Sequence, residues 1–369
     1  MKRIGIITIP DYENYGNRLQ NYASKTFLEK QNFKVDTLEM NDKDFFNYKN
    51  RARKLWLKKH KLYFIVFLFT FIKNGVFRAA HYFRFELFTR KNLSVKYFPK
   101  YTKETIDKIN CNYDFIVLGS DQIWNPKVNT TPNIYFATFT DPTKKIPFAV
   151  SFGVSTLGEE KEKIQSYLKD FIYFSSREKE GKEIIEILTN KKCELLIDPT
   201  FLLTKEEWAT ISLKPKKKLY NGEDFVFCFF LGPKSDEYNK YINTYFSNEN
   251  IVFIDSNKDN DCYRDTGPQE FLWYIKNAKY ILTDSFHAVE FSIIFNKNFT
   301  CFSRLNNDLS FGGLDSRIDS LLSKFDILDC KYVKESTKTN IINFENFDNI
   351  IKNEQEKYML YLEKVGLIN

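Results

Sequence analysis

The chain has 369 residues, more than one hydrophobic core usually serves, so two domains are expected. A hydrophobic share of 43% against 28% charged residues excludes disordered and fibrous classes. The formal charge of +7 suits anionic ligands or a membrane surface but is too weak to indicate nucleic acid, and no nucleic-acid partner is expected.

In chain order, residues 3–9 form a β-rich run, and no cleavable leader is expected before it. Leu19, Tyr22, Ala23, Thr26 and Phe27 then recur at helical spacing, and residues 35–40 read as the next strand. Residues 45–95, basic and aromatic, are expected to be a helical insertion. Within it lies the longest apolar run, residues 62–72, about half the ~20 residues of a spanning helix. A basic stretch carrying Trp56 precedes it. The simpler reading is a buried helix with a solvated basic lead-in. The alternative is an interfacial patch making peripheral contact with the inner face of a plasma membrane.

Strands are expected again at 115–119, 146–150, 173–176 and 194–197, with helices over 159–171 and 178–188. Asp198-Pro199 stops the last strand, because a residue before proline avoids helical geometry. Residues 205–223 are lysine-rich, lack apolar periodicity and contain Asn221-Gly222, which places the domain boundary there. A second alternating series follows, with strands at 224–231, 251–254, 280–283 and 299–302. Residues 344–367 read as one charged helix packing back on the first domain. The pattern is α/β: Rossmann-like, doubly wound domains at 1–204 and 222–343, a terminal helix at 344–369, and a cleft between the domains. None of the six cysteines forms a CxxC pair, which fits a reduced cytoplasm.

Parallel sheets bind ligands at the carboxyl ends of their strands, which narrows the candidates. They are the loop carrying Asn14, Tyr15, Gly16 and Asn17, the turn Gly119, Ser120, Asp121 and Gln122, then Arg177, the segment Asp284, Ser285 and His287, and Arg304. His287 stands where a helix begins, with Ser285 as cap and phosphate ligand. The residue is suited to proton transfer near neutral pH, although a capping and packing role explains the position equally well. Arg177 offers a guanidinium to a carboxylate or phosphate, or simply pairs with the glutamates at 178 and 180. GxGxxG, GxxxxGK[ST], HExxH and GxSxG are all absent, which argues against dinucleotide, P-loop, zinc-protease and α/β-hydrolase chemistry. No metal or cofactor is expected.

Seven segments, in order, resemble the polysaccharide pyruvyl transferase family. They are Asn14-Tyr-Gly-Asn-Arg-Leu-Gln20, Gly119-Ser-Asp-Gln-Ile-Trp-Asn125, Ala149-Val-Ser-Phe-Gly153, Ser176-Arg-Glu178, Ile197-Asp-Pro-Thr-Phe-Leu202, Gly267-Pro-Gln-Glu-Phe271 and Ala278-Lys-Tyr-Ile-Leu-Thr-Asp-Ser-Phe-His287. The resemblance implies a GT-B-like pair of Rossmann-like domains and phosphoenolpyruvate as donor substrate. The product it implies is a pyruvate ketal on a sugar of a surface polysaccharide, such as a capsule or exopolysaccharide, or of its undecaprenyl-linked precursor.

It further implies catalytic roles for Arg177 and His287, with Asp284 orienting the histidine. Arg304 would be the basic residue of the following loop, although the Asp-Pro-Lys context of some relatives is absent here. Phe152 and Gly153 join the implied substrate-binding set with Ser285 and the two loops named above. The alternative on the same fold is a glycosyltransferase using a nucleotide sugar, since fold does not fix function.

Overall fold

The structure, a computed structural model, describes residues 1–41, 48–129, 133–216, 224–233, 235–254, 261–304, 314–334 and 339–368. It divides into two compact units, Met1–Phe69 with Thr89–Leu202 and Glu354–Asn369, and Thr70–Phe88 with Leu203–Asn353.

The first unit carries seven strands: β1 (Arg3–Ile7), β2 (Lys34–Met40), β3 (Val95–Phe98), β4 (Phe115–Asp121), β5 (Lys145–Val150), β6 (Ser175–Ser176) and β7 (Glu194–Leu195). They pair in parallel in the order β3-β2-β1-β4-β5-β6-β7, with Ile4 beside Val35 on one side and beside Phe115 on the other. A parallel sheet with helices on its faces is covered on both sides, so its central strands are continuously apolar. Ile4, Ile6, Ile116, Val117, Leu118 and Ile146 are accordingly buried. Strand order reverses between β1 and β4, and a crevice at such a switch point is where doubly wound sheets bind ligands.

The second unit has four parallel strands, β8 (Phe225–Phe229), β9 (Asn250–Ile254), β10 (Tyr280–Thr283) and β11 (Phe299–Cys301), in the order β11-β10-β8-β9. Its switch point lies between β8 and β10. Val226 and Cys228 of β8 and Leu282 of β10 pack with Phe230, Tyr238, Tyr241 and Phe302 in one core cluster.

The terminal helix Phe347–Lys364 returns to the first unit from Glu354 onward, as expected. Tyr358 donates to Ile197 O at 2.5 Å and Tyr361 to Pro147 O at 2.7 Å, so two tyrosine hydroxyls satisfy backbone carbonyls deep in that unit.

Two local expectations are corrected. The units part between Leu202 and Leu203, ahead of the lysine-rich stretch. Lys205–Ile211 is helical, fixed by a Thr204/Glu207 capping box and the buried Trp208, while Asn221-Gly222 lies outside the described residues. The run at 62–72 is helical but not buried: it forms the first turns of the helix Tyr63–Asn92, where Phe64 is 73% and Ile72 71% exposed. The insertion expected at 45–95 is helical over Tyr48–Lys59 and Tyr63–Asn92, and β3 follows it, a short strand whose alternation is too brief to be seen in sequence.

Candidate active site

In the first unit, β1 ends in a loop that becomes the helix Tyr15–Lys30. Asn14 is its N-cap, the side chain accepting from Asn17 N at 3.1 Å. Tyr15 and Gly16 are buried in the first turn. The Asn17 side chain ties the loop to its surroundings. Its Oδ1 accepts from Asp11 N and from Arg18, and its Nδ2 donates to Asp121 at 2.8 Å.

The carboxyl end of β4 is unusual backbone. Gly119 has φ 114°, and a Cβ there would stand 2.6 Å from Phe148 O, so only glycine fits. The Gly119–Ser120 peptide is cis, and Asp121 has φ 72°. Ser120 is buried, its hydroxyl donating to Ala149 O at 2.7 Å and its N–H to Gln20 at 3.1 Å. Gln122 lies against Gly153, where an added Cβ would meet the Gln122 amide carbon at 2.6 Å.

Arg177 follows β6 with its side chain 1% exposed. Its guanidinium donates to Asp198 at 2.5 Å and to Asp121 at 3.2 Å, and Glu178 lies 3.8 Å away. The expected clamp for an incoming anion is therefore a buried cation already committed to carboxylates. The backbone N–H groups of Phe152 and Gly153 are also engaged, both donating to Glu178 Oε1, at 2.8 and 3.1 Å. Asp198 carries no role in the sequence pattern, and Glu178 is legible there only as a neighbouring partner of Arg177. Their partners are 21 and 25–26 residues away, beyond the reach of local pattern.

In the second unit, Asp284 leaves β10 at the switch point. Its two carboxylate oxygens accept from Leu231 N at 2.7 Å and Gly232 N at 2.8 Å, both in the loop after β8. Burial pushes its carboxyl above the ordinary range, against the opposing pull of Arg304 and those backbone N–H groups. Arg304, just past β11, donates to Asp284 O at 3.2 Å, with its Nε 3.8 Å from the carboxylate. Its side chain remains 21% exposed.

Ser285 caps the helix Phe286–Ile294 by accepting from Ala288 N at 3.4 Å, while its own N–H donates to Thr283 at 3.0 Å. His287 lies in that first turn, 8% exposed, with Nε2 3.9 Å from Glu290 Oε2. Glu290, fully buried, was missed by the sequence reading, although its i,i+3 spacing from His287 placed it on the same helix face.

The structure thus brings Asp284, Ser285, His287 and Arg304 together in the second unit. In the first it gathers Asn17, Ser120, Asp121, Gln122 and Arg177. Only the second group offers a partly exposed cation beside a helix N-terminus and a titratable imidazole.

No curated protein matches the sequence. Among solved structures, the chain is similar to UDP-N-acetylglucosamine 2-epimerase from Rickettsia bellii, at 10% identity and TM-score 0.48, covering 100% of this chain and 98% of that one. It is similar to UDP-GlcNAc 2-epimerase from Methanocaldococcus jannaschii at 13% identity and TM-score 0.41, covering 97% and 100%. It also resembles a lipopolysaccharide outer core galactosyltransferase at 9% identity and TM-score 0.36, covering 99% of each. The sequence profile of the polysaccharide pyruvyl transferases matches residues 14–306, from the Asn14 cap through His287 to just beyond Arg304, and the chain belongs to that family.

Proposed function

We propose that the protein transfers a pyruvyl group from phosphoenolpyruvate to a sugar of a surface polysaccharide or of its lipid-linked precursor, forming a cyclic ketal. The observation that supports this best is the group at the carboxyl ends of β10 and β11. There the helix start at Ser285 and the Arg304 guanidinium favour an anion, with His287 in the same helical turn.

Phosphoenolpyruvate carries a phosphate and a carboxylate and needs cationic and N–H donors for both. The first sugar hydroxyl adds to C2 of the donor while the methylene carbon C3 takes a proton and becomes a methyl. Phosphate then leaves C2. The second hydroxyl bonds to C2 and gives up its proton, closing the ring. His287 carries protons in this sequence, Glu290 positions the imidazole, and Asp284 holds the turn that presents both His287 and Arg304.

The first unit takes a different part. Because Arg177 is paired with Asp121 and Asp198, it acts as a positioning residue that holds the Asp121 turn. The carboxylate and amide groups of Asp121, Gln122 and Asn14 suit sugar hydroxyls better than a phosphate. No resident metal or cofactor enters this scheme.

Isothermal titration tests it with phosphoenolpyruvate, inorganic phosphate and UDP-, GDP- and CMP-sugars as separate ligands. The expected result is saturable binding of phosphoenolpyruvate that weakens at least about tenfold in Arg304→Ala, a loss of about 1.4 kcal/mol or more. Binding of a nucleotide sugar with no response to phosphoenolpyruvate would establish the glycosyltransferase alternative.

A further inference from the structure

The helix Tyr63–Asn92 is long and apolar enough, by length and composition, to cross a membrane. Its backbone does not allow a continuous span. Gly75 has φ 82° and ψ 173°, which breaks the helix and leaves an uninterrupted piece over 63–74. Twelve residues rise about 18 Å, against about 30 Å of bilayer hydrocarbon.

One side of this piece is anchored on the protein through the buried Val66, while the opposite side is apolar and open. Phe64, Leu68, Phe71 and Ile72 fall at i, i+4, i+7 and i+8, which is one helix face, and their exposures are 73, 43, 43 and 71%. A helix seated on a soluble protein ordinarily turns polar residues to that side.

Charge frames the stripe. Residues 48–85 contain ten lysines and arginines and no aspartate or glutamate. The Arg53 guanidinium sits over the Phe69 ring at 4.7 Å, and Lys59 and Lys61 are exposed just before the apolar piece begins. Trp56, 48% exposed, adds an amphipathic ring of the kind that settles at headgroup level.

We infer that the 48–74 segment is an interfacial anchor that lays its Phe64–Leu68–Ile72 face into the headgroup boundary of an anionic lipid bilayer. The apolar face supplies burial, and the acid-free basic flank supplies attraction to anionic lipid. This inference does not depend on the reaction catalysed. It would hold equally for a nucleotide-sugar enzyme.

The test is flotation of the full-length protein with vesicles of phosphatidylglycerol and phosphatidylcholine in about equal parts, and with phosphatidylcholine alone, at low and high salt. Wild type is expected to float with the anionic vesicles at low salt and to be partly released by salt. The double variant Phe64→Glu, Ile72→Glu should lose at least about tenfold in partitioning. The pair Lys59→Gln, Lys61→Gln should lose about fivefold per charge, on anionic vesicles only. Melting temperatures equal to wild type are expected, because these side chains are exposed; should the glutamates lower them, Phe64→Ser, Ile72→Ser repeats the test. Wild type remaining at the bottom of the gradient with both vesicle types would overturn the inference, as would glutamate variants floating like wild type. A vesicle-free dimer that Phe64→Glu dissociates, without flotation of wild type, would assign the face to a second copy of the chain instead.

Discussion

His287 and Glu290 stand one turn apart on the helix Phe286–Ile294, with 3.9 Å between Nε2 and Oε2, the glutamate fully buried and the histidine 8% exposed. A carboxylate one helical turn from the imidazole is placed to orient the ring, as carboxylates do in proton-transfer sites.

Turnover should therefore separate the two residues. His287→Ala is expected to lower kcat about 10²–10⁴-fold, well beyond any loss of folded protein read from the melting temperature. Glu290→Gln should lower kcat less and leave KM for phosphoenolpyruvate unchanged. A collapse of melting temperature in His287→Ala, with activity tracking the folded fraction, would assign the histidine to packing.

The two arginines should behave in opposite ways. Arg177→Ala leaves Asp121 and Asp198 buried without their cation, and removing one partner of a buried pair costs about 3–5 kcal/mol. Arg304→Ala removes a side chain that is 21% exposed and should cost little stability while weakening donor binding. Denaturant unfolding of both variants checks this. Equal stabilities would mean that the Arg177 network contributes little to the fold.

Gly119→Ala should destabilise by more than about 2 kcal/mol, since it combines a left-handed φ with a Cβ 2.6 Å from a backbone oxygen. Gly158→Ala is the control. It also has positive φ, but nothing lies within 4 Å of its added carbon, so only the backbone cost of about 1 kcal/mol applies.

Asp284 gives a pH dependence of definite sign. Its folded carboxyl titrates above the 3.8 of the free side chain, so the fold favours the protonated form. That contribution is complete below 3.8 and is lost as pH rises through the folded value. Asp284→Asn cannot titrate, and it offers a single acceptor to the N–H groups of Leu231 and Gly232. The stability advantage of wild type over Asp284→Asn should therefore grow as pH falls from 7 toward about 4. A difference independent of pH would show that the folded carboxyl is not shifted.

The sequence by itself determined the class of fold and the addresses of the candidate residues. Apolar runs such as 115–119 and 280–283 alternate with helical spacing, and a parallel sheet brings its chemistry to strand ends, so Asn14, Gly119, Arg177 and Asp284 could be named from local pattern alone. Family membership was legible for the same reason, because its motifs are those strand-end loops.

What those residues do depended on partners distant in the chain. Arg177 reads as an anion clamp or a partner of neighbouring glutamates until Asp121 and Asp198 are seen around it, and those contacts span 56 and 21 residues. The apolar run at 62–72 reads more simply as core than as surface, because hydrophobicity reports a preference for leaving water and not what covers it. The tertiary structure decided the matter by seating Val66 on the protein and leaving Phe64 and Ile72 outside.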